Sequence, residues 1–378
     1  MVDATCPTSL VPGPPRKDFG AVFWLRMKVA FLDLARQNAS LATELDLAYR
    51  RVSASGRYLF GPELEAFEGE LAAWLGVRHA VGVASGTDAL EIALRALGVA
   101  EGERVATTAF TAVATINAIE SAGAVPVLFD VDPLTRNADG WLSGKTGTRF
   151  AVAVHLYGVP CLPVRWDGAV EDVAHALGAR WQGRRAGTLG RLAALSFYPT
   201  KNLGALGDGG AVVTDDDVLA DRARDIRFYG GLASGEVATR GQNSRLSELQ
   251  AAFLRVKLPH LEELNSRRRA VAARYREGLS GRIALPVEPE GCVPSYHLFV
   301  VETAERDRLA RDLAGAGVGT LVHYPRAIHE HPRYRSLGEP GQFPVAERLA
   351  RSVLSLPCYP GITDAEVDHV IRAVRDLT

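Results

Sequence analysis

The sequence predicts an α/β fold in which a large domain carries a mostly parallel mixed sheet and a smaller C-terminal α+β domain follows. Its 378 residues are more than one small domain needs. Short apolar runs alternate with helical patterns through the middle of the chain, as in the βαβ units of a parallel sheet. After about residue 245 this alternation gives way to a long helical stretch and then to short mixed elements.

The elements of the large domain follow one another with little interruption. An amphipathic helix is predicted over Glu63–Leu75, because Leu64, Phe67, Leu71 and Trp74 share one face. Helical spacing of apolar residues predicts two further helices, at Asp88–Leu97 and Val113–Ser121. Short apolar runs predict strands at Ala80–Ala84, Arg104–Thr107, Val125–Asp130, Phe150–His155, Ala169–Glu171, Ala193–Phe197 and Ala211–Thr214.

We divide the chain into three parts. Residues 1–26 contain four prolines, among them Pro12, Pro14 and Pro15, and no apolar run typical of a signal peptide, so we expect a flexible extension. Residues 27–250 form the large domain, and residues 251–378 form the small domain. A linker helix from Leu246 to about Leu279 joins the two domains and carries Arg267, Arg268 and Arg269. We interpret this arginine cluster as a solvated helix face.

Composition excludes several classes of protein. The formal net charge of −1 argues against nucleic acid and anionic membranes as partners. Four scattered cysteines, at positions 6, 161, 292 and 358, form no CxxC pair, which argues against a metal site or a disulfide framework. This cysteine usage is typical of a reducing compartment, and we expect the cytoplasm. No apolar run reaches the ~18–20 residues that a membrane span needs.

The segment Ala84–Leu90 is a candidate phosphate site. A predicted strand ends there, a Ser-Gly-Thr turn follows, and a helix begins. The free N–H groups of a helix N-terminus attract phosphate, and Gly86 allows the backbone to approach it closely. A plain helix cap explains the same residues, because Ser, Thr and Asp all cap helices well.

Two further segments carry titratable side chains at strand ends. Asp172 closes a predicted strand, with His175 three residues later, at the edge of the sheet where α/β enzymes place their sites. Lys201 lies in a Pro- and Gly-rich loop between two predicted strands. A lysine in a partly dry site loses basicity and can form a Schiff base with an aldehyde. Taken singly, a capped helix and a solvated loop lysine explain these segments equally well.

The order of the three segments resembles that of a pyridoxal phosphate (PLP) site. From about Phe31 to the C-terminus, the chain resembles the sugar aminotransferases of the DegT/DnrJ/EryC1/StrS family, which have fold type I of the aspartate aminotransferase superfamily. The matching segments are Gly56–Glu63, Ser85–Leu90, His155–Gly158, Glu171–His175, Ser196–Gly204 and Asn243–Ala252. One departure is the segment Gly158–Gly168, which is too short and too rich in proline for the helix that relatives usually have there.

The resemblance implies how the cofactor would be held. Gly86, Thr87 and Ser196 would bind its phosphate, together with Asn243 from the other subunit of a homodimer. Phe110 would stack on the pyridine ring.

The resemblance also implies the catalytic groups. Asp172 would pair with the ring nitrogen and keep it protonated. His175 would face the phenolic oxygen. Lys201 would form the internal aldimine and then move the proton between substrate and cofactor. Three residues fall in the family's sugar-nucleotide stretch: His323, Tyr324 and His329.

The implied reaction is amino transfer from L-glutamate to a nucleotide-linked keto-deoxysugar. The motifs favour a dTDP-linked 3-keto-6-deoxyhexose, of the kind used in antibiotic glycosylation, while a 4-keto sugar or a cyclitol ketone stays open. A PLP-dependent sugar dehydratase would have histidine in place of Lys201. From a different class, the alternative is a catalytically inactive PLP-binding regulator.

Overall fold

A computed structural model describes residues 27–138, 147–161, 168–232 and 235–378. The extension predicted at residues 1–26 lies outside these ranges. The helices are α1 Leu34–Ala39, α2 Ala42–Ser55, α3 Pro62–Leu75, α4 Gly86–Leu97, α5 Val113–Ser121, α6 Asp217–Arg227, α7 Glu248–Lys257, α8 Leu261–Leu279, α9 Arg306–Gly315, α10 Pro344–Ser352 and α11 Asp364–Leu377. The strands are β1 His79–Val83, β2 Arg104–Thr108, β3 Val125–Phe129, β4 Phe150–Val154, β5 Ala169–Asp172, β6 Arg180–Trp181, β7 Arg184–Arg185, β8 Leu192–Ser196, β9 Gly210–Thr214, β10 Cys292–Val293, β11 Phe299–Glu302 and β12 Val353–Leu356.

A seven-stranded sheet forms the centre of the large N-terminal part, in the order β1-β9-β8-β5-β4-β2-β3. Strand β9 is antiparallel to both neighbours, while the other pairs are parallel. Alternate residues of a strand enter different cores, because side chains point to opposite faces of a sheet. On β9, Val212 packs on the face of α4 and α5, whereas Ala211 and Val213 pack on the face of α3 and α7. The predicted mixed, mostly parallel sheet is therefore confirmed.

A second core lies in the C-terminal part of the chain. Strands β11 and β12 pair antiparallel, and their apolar residues pack with those of α8, α9 and α11. The small α+β unit has the composition that the sequence predicts, although its boundary at residue 250 stays a prediction. None of the helices in the described ranges is long and apolar enough to cross a membrane.

The linker helix differs from its prediction in two respects. Pro259 lies in a short 3-10 turn, Leu258–His260, which separates α7 from α8. Pro cannot donate the backbone hydrogen bond that a continuous α-helix needs at this position. The arginine cluster is also not uniformly solvated, because Arg268 is only 2% exposed. Arg267 and Arg269 pair with Glu263 and Glu262 on the same helix. The prediction of a solvated face is therefore wrong for the middle arginine.

Other elements have no clear pattern in the sequence. The two-residue strands β6, β7 and β10 form a small sheet that joins distant parts of the chain. Such short strands carry too few residues for a period to be recognised. The segment predicted to lack an outer helix, Gly158–Gly168, follows directly on a 3-10 turn at Leu156–Gly158, and its residues 162–167 lie outside the described ranges.

Glu171 holds the loop that follows β7 against the end of β5. One carboxylate oxygen accepts hydrogen bonds from the backbone N–H groups of Leu189 (2.7 Å) and Gly190 (2.6 Å). The other oxygen accepts from the N–H of Gly187 (2.8 Å) and is 2.8 Å from Nε2 of His155. The Glu171 side chain is completely buried, and all four contacts satisfy its charge.

We predict that Glu171→Gln lowers the free energy of unfolding by about 2–4 kcal/mol, because the amide nitrogen faces two donors and leaves them unpaired. Urea unfolding followed by circular dichroism measures this loss. Glu290→Gln is the matched control, since Glu290 is exposed. Equal unfolding free energies for the two variants would contradict the role of Glu171.

Candidate active site

A cavity of about 240 Å³ opens where β4, β5 and β8 end. The carboxyl ends of parallel strands meet at one edge of a sheet, which is where α/β proteins place their sites. The structure brings most of the predicted site residues to this cavity. They are Gly86, Thr87, Asp172, His175, Ser196, Lys201 and Tyr324.

One end of the cavity is the N-terminus of α4. Gly86 and Thr87 are its first two residues, whose N–H groups have no partner within the helix. Ser196, at the end of β8, faces them across a narrow gap. A Cβ atom on Gly86 would lie 2.5 Å from the Cβ of Ser196, so only glycine fits there. This end of the cavity suits an anion such as phosphate.

The turn before α4 is fixed by a small polar network. The Ser85 hydroxyl accepts a hydrogen bond from the N–H of Asp88 (3.1 Å) and thereby caps the helix. The Ser244 hydroxyl donates to the Asp88 carboxylate (2.5 Å) and accepts from the N–H of Ala84 (3.0 Å). Asn243, beside Ser244, is exposed and does not line the cavity of its own chain.

Asp172 supplies a buried carboxylate. Its two oxygens accept hydrogen bonds from the Thr115 hydroxyl (3.0 Å) and from the N–H of Ala174 (3.1 Å). Burial raises the pKa of Asp172, while these two hydrogen bonds and the charge of Lys201 lower it. The carboxylate is therefore prepared for a cationic partner, which would favour its ionised form.

Lys201 lies in a closed loop between β8 and β9. The loop is tight, because a Cβ atom on Gly204 would come within 2.2 Å of the Pro199 carbonyl oxygen. Asn202 donates to the Asn265 side chain (2.6 Å) and to the Ser295 carbonyl (3.0 Å), which ties the loop to α8. Burial lowers the pKa of Lys201 to about 8, although the charge of Asp172 raises it in part. About a tenth of this amine is therefore uncharged at pH 7, far more than for a solvated lysine.

Three imidazoles surround Lys201, and all of them are neutral. Burial and the charge of Lys201 together hold the pKa of His175 and His297 well below the usual range and lower that of His323 to about 4. The rings of His175 and His297 lie 4.5 Å apart. Nδ1 of His175 accepts a hydrogen bond from the N–H of Tyr157 (3.3 Å), which assigns the ring proton to Nε2. Nε2 of His175 is thus a donor.

Three residues predicted for the site, Phe110, His323 and His329, do not line this cavity. Phe110 is 1% exposed and packs in the core, edge-on to Tyr324. Thr111, Ala112 and Ala114 line the cavity from that segment instead, so the geometry does not support a stacking role for Phe110.

His329 is buried beside Glu347, with Nε2 3.0 Å from its carboxylate, and it does not line the cavity. The structure gives His329 a packing role and does not support its predicted contact with substrate. His323 borders a neighbouring cavity rather than this one.

The sequence did not single out several residues that position the site. Thr115 bonds Asp172 from α5, Glu171 anchors the strand end, and Asn202 and Asn265 hold the lysine loop. Asn202 could have been found, because it directly follows Lys201. Asn265 is 63 residues further along the chain, and only the fold reveals this contact.

Comparisons with known proteins agree on the family. A sequence profile described as the DegT/DnrJ/EryC1/StrS aminotransferase family matches residues 40–375. The chain is similar to the erythromycin biosynthesis sensory transduction protein EryC1 of Saccharopolyspora erythraea, with 47% identity over 92% of this chain and 99% of that protein. It is also similar to the dTDP-3-amino-3,4,6-trideoxy-alpha-D-glucose transaminase of Streptomyces venezuelae, with 46% identity over 92% of this chain and 96% of that protein.

A solved structure shows the same fold. The crystal structure of S. venezuelae DesV in complex with a ketimine intermediate has a TM-score of 0.89 and 44% sequence identity, and the match covers 92% of this chain and 98% of that one. The predicted family and the predicted fold type are therefore confirmed.

We predict that the apo-protein attaches an aldehyde at Lys201 faster as the pH rises, with a midpoint near 8, because only the neutral amine reacts. Stopped-flow absorbance after PLP is added measures the rate. In Asp172→Asn the midpoint should move to lower pH, since the carboxylate charge that favours the ammonium is gone. Lys201→Ala is the blank. A midpoint above 10, or one that Asp172→Asn does not move, contradicts the lowered pKa.

Proposed function

The chain belongs to the DegT/DnrJ/EryC1/StrS aminotransferase family, and on this premise we propose that it transfers an amino group from L-glutamate to a nucleotide-linked keto-deoxysugar. One observation carries the proposal: a buried carboxylate, Asp172, and an amine of lowered basicity, Lys201, share one cavity with a helix N-terminus. These three features are the groups that a PLP-dependent transamination requires.

The residues of the cavity fit PLP as the cofactor. The free N–H groups at the start of α4 suit its phosphate, and Gly86 allows Ser196 to lie close beside them, since a Cβ atom on Gly86 would clash with Ser196. Asp172 would hold the protonated ring nitrogen, and the Nε2 proton of His175 would face the phenolic oxygen. Bound PLP would supply an electron sink for the carbon that gains or loses the amine.

Lys201 carries the proton in this proposal. Its pKa of about 8 lets the amine accept a proton from a substrate carbon and return it without a large energetic penalty. Asp172 would stabilise the positive charge on the ring nitrogen of PLP. Hydrogen bonds from Thr115 and Ala174 orient its carboxylate. Tyr324 and the neutral His175 limit water at the same cavity, because both are largely packed against protein.

The sugar acceptor is proposed at a finer level. The S. venezuelae relative is a dTDP-3-amino-sugar transaminase, and its 46% identity supports a dTDP-linked 3-keto-6-deoxyhexose as the acceptor here. A 4-keto sugar and a cyclitol ketone are the alternatives. Such aminosugars serve antibiotic glycosylation, and the erythromycin relative supports that setting.

The proposal includes two further parts: the protein forms a homodimer, and it is located in the cytoplasm. Asn243 is exposed in its own chain, which leaves it available to the site of a second copy. Exposed apolar side chains on the same side support a partner surface; they are Tyr229, Leu232 and Val237. The scattered cysteines support a reducing compartment.

A regulatory role is the second candidate, because the S. erythraea relative carries the name of a sensory transduction protein. Against it, Lys201, Asp172 and the α4 N-terminus are all present in one cavity. A regulator that has lost catalysis does not need a lysine of lowered pKa at this position.

We predict that L-glutamate removes the visible absorption band of the PLP-reconstituted protein and releases 2-oxoglutarate in equal amount. A dTDP-linked 3-keto-6-deoxyhexose should restore the band and yield the aminosugar, identified by mass spectrometry. Lys201→Ala should do neither, whereas Lys28→Ala should match the wild type, because Lys28 is exposed and outside the cavity.

Three results would overturn parts of this proposal. Without a visible band in the reconstituted wild type, the PLP assignment fails. A band that glutamate never changes favours the regulator. Faster reaction with a 4-keto sugar or a cyclitol ketone corrects the acceptor alone.

A further inference from the structure

One face of α7 holds the loop that carries Lys201. Gln250 and Lys257 are separated by about two turns of this helix, so their side chains point to the same side. Oε1 of Gln250 accepts a hydrogen bond from the N–H of Leu206 (2.8 Å). Nζ of Lys257 donates a hydrogen bond to the carbonyl oxygen of Gly204 (2.8 Å). Helix α7 therefore binds the loop at two points shortly after the lysine.

The contact of Lys257 reaches the closed part of this loop. The N–H of Ala205 donates to the carbonyl oxygen of Phe197 (2.8 Å), which joins the two ends of the segment around Lys201. The segment is also tight, because a Cβ atom on Gly204 would come within 2.2 Å of a carbonyl oxygen on its opposite side. A displacement of Gly204 therefore moves the backbone of Lys201, which cannot adjust independently.

The surroundings of Lys257 are unfavourable for a cation. Its side chain is 6% exposed, and its neighbours Leu254 and Leu258 belong to an apolar core. Burial lowers the pKa of Lys257 to about 8, and in the described part of the chain no carboxylate charge offsets this effect. Methionine would fill a similar space without the cost of a buried charge. Packing alone therefore does not require an ammonium here, whereas the buried Gly204 carbonyl requires a donor.

We propose that Lys257 is a positioning residue of the transamination: it holds the Gly204 carbonyl and thereby fixes the place of the Lys201 amine. This inference rests on the proposed aminotransferase function and adds to it a residue outside the cavity, since Lys257 does not line that space. A proton moves only between groups within hydrogen-bond reach. A misplacement of about 1 Å can slow such a step by about a hundred-fold.

The first test measures the mobility of the loop before PLP is added. Hydrogen exchange followed by mass spectrometry compares the full-length wild type, Lys257→Met and Arg255→Met. Arg255 is the matched control, because it is a cation on the same helix that pairs with Glu63 and Glu70 instead of the loop. We expect exchange in residues 197–206 to become roughly ten-fold faster in Lys257→Met and to stay unchanged in Arg255→Met.

The second test measures the reaction of the PLP-reconstituted enzyme with L-glutamate. In Lys257→Met the rate should fall roughly ten-fold, while the KM changes less than about two-fold, because Lys257 contacts no substrate. Glutamate deuterated at Cα should slow this variant more than it slows the wild type, since a misplaced amine makes proton transfer limiting. Lys257→Arg keeps a charged donor of different shape and should recover part of the rate.

Two results would overturn the inference. If exchange in the loop is the same in Lys257→Met and the wild type, Lys257 does not hold the loop. If Lys257→Met and Arg255→Met lose the same fraction of the rate, with an unchanged isotope effect, Lys257 contributes only to the stability of α7. Should Lys257→Met fail to fold, Lys257→Arg replaces it, and wild-type values of rate and isotope effect there contradict the inference.

Failure of the proposed function gives a different result. A wild-type protein that binds PLP but never reacts with glutamate is not an aminotransferase for this donor. The position of Lys201 is still measurable in that case, from the rate at which the visible band appears after PLP is added. We expect this rate to be roughly ten-fold lower in Lys257→Met than in Arg255→Met. Equal rates in the two variants reject the role of Lys257 alone.

Discussion

The arrangement of the site depends on two adjacent carboxylates at the end of β5, Glu171 and Asp172, which point to opposite faces of the sheet. Glu171 points away from the cavity and accepts four hydrogen bonds, three of them from backbone N–H groups. Because side chains alternate along a strand, this anchoring fixes the next residue, Asp172, on the cavity side. Asp172 therefore has little freedom to turn away, and its burial raises its pKa until a cation pairs with it.

The remaining groups are arranged around that carboxylate. Lys201 is held by a tight loop and by the Asn202–Asn265 contact, and burial reduces its basicity. Its charge, together with burial, keeps His175 neutral, so this imidazole is a hydrogen-bond donor rather than a cation. The cavity thus holds a carboxylate, Asp172, an amine of reduced basicity, Lys201, and a neutral hydrogen-bond donor, His175. Their surroundings shift the pKa of each group, and such shifts allow proton transfer near neutral pH.

Much of this site could be predicted from the sequence, because its main residues lie at or just after the ends of strands β1, β5 and β8. Gly86, Asp172, Ser196 and Lys201 each follow an apolar run, and parallel strands bring such positions together. The sequence does not reveal which residue of the segment after β2 faces the cavity. It predicts Phe110 there, whereas Phe110 packs in the core and Ala112 lines the cavity. The charge of Arg268 predicts a solvated position on its helix, but the residue is buried. Its hydrogen bond to the carbonyl oxygen of Cys358, which is distant in the sequence, explains this burial.

The central claim is that Asp172 keeps the ring nitrogen of bound PLP protonated. Nitrogen-15 NMR of the enzyme reconstituted with ring-labelled PLP measures this protonation directly. We predict a protonated ring nitrogen in the wild type at pH 8 and an unprotonated one in Asp172→Asn, since the buried carboxylate favours the cation by ~1–3 pKa units. Asp208→Asn, which changes an exposed carboxylate at the same cavity, should resemble the wild type. The same protonation state in wild type and Asp172→Asn would contradict the account.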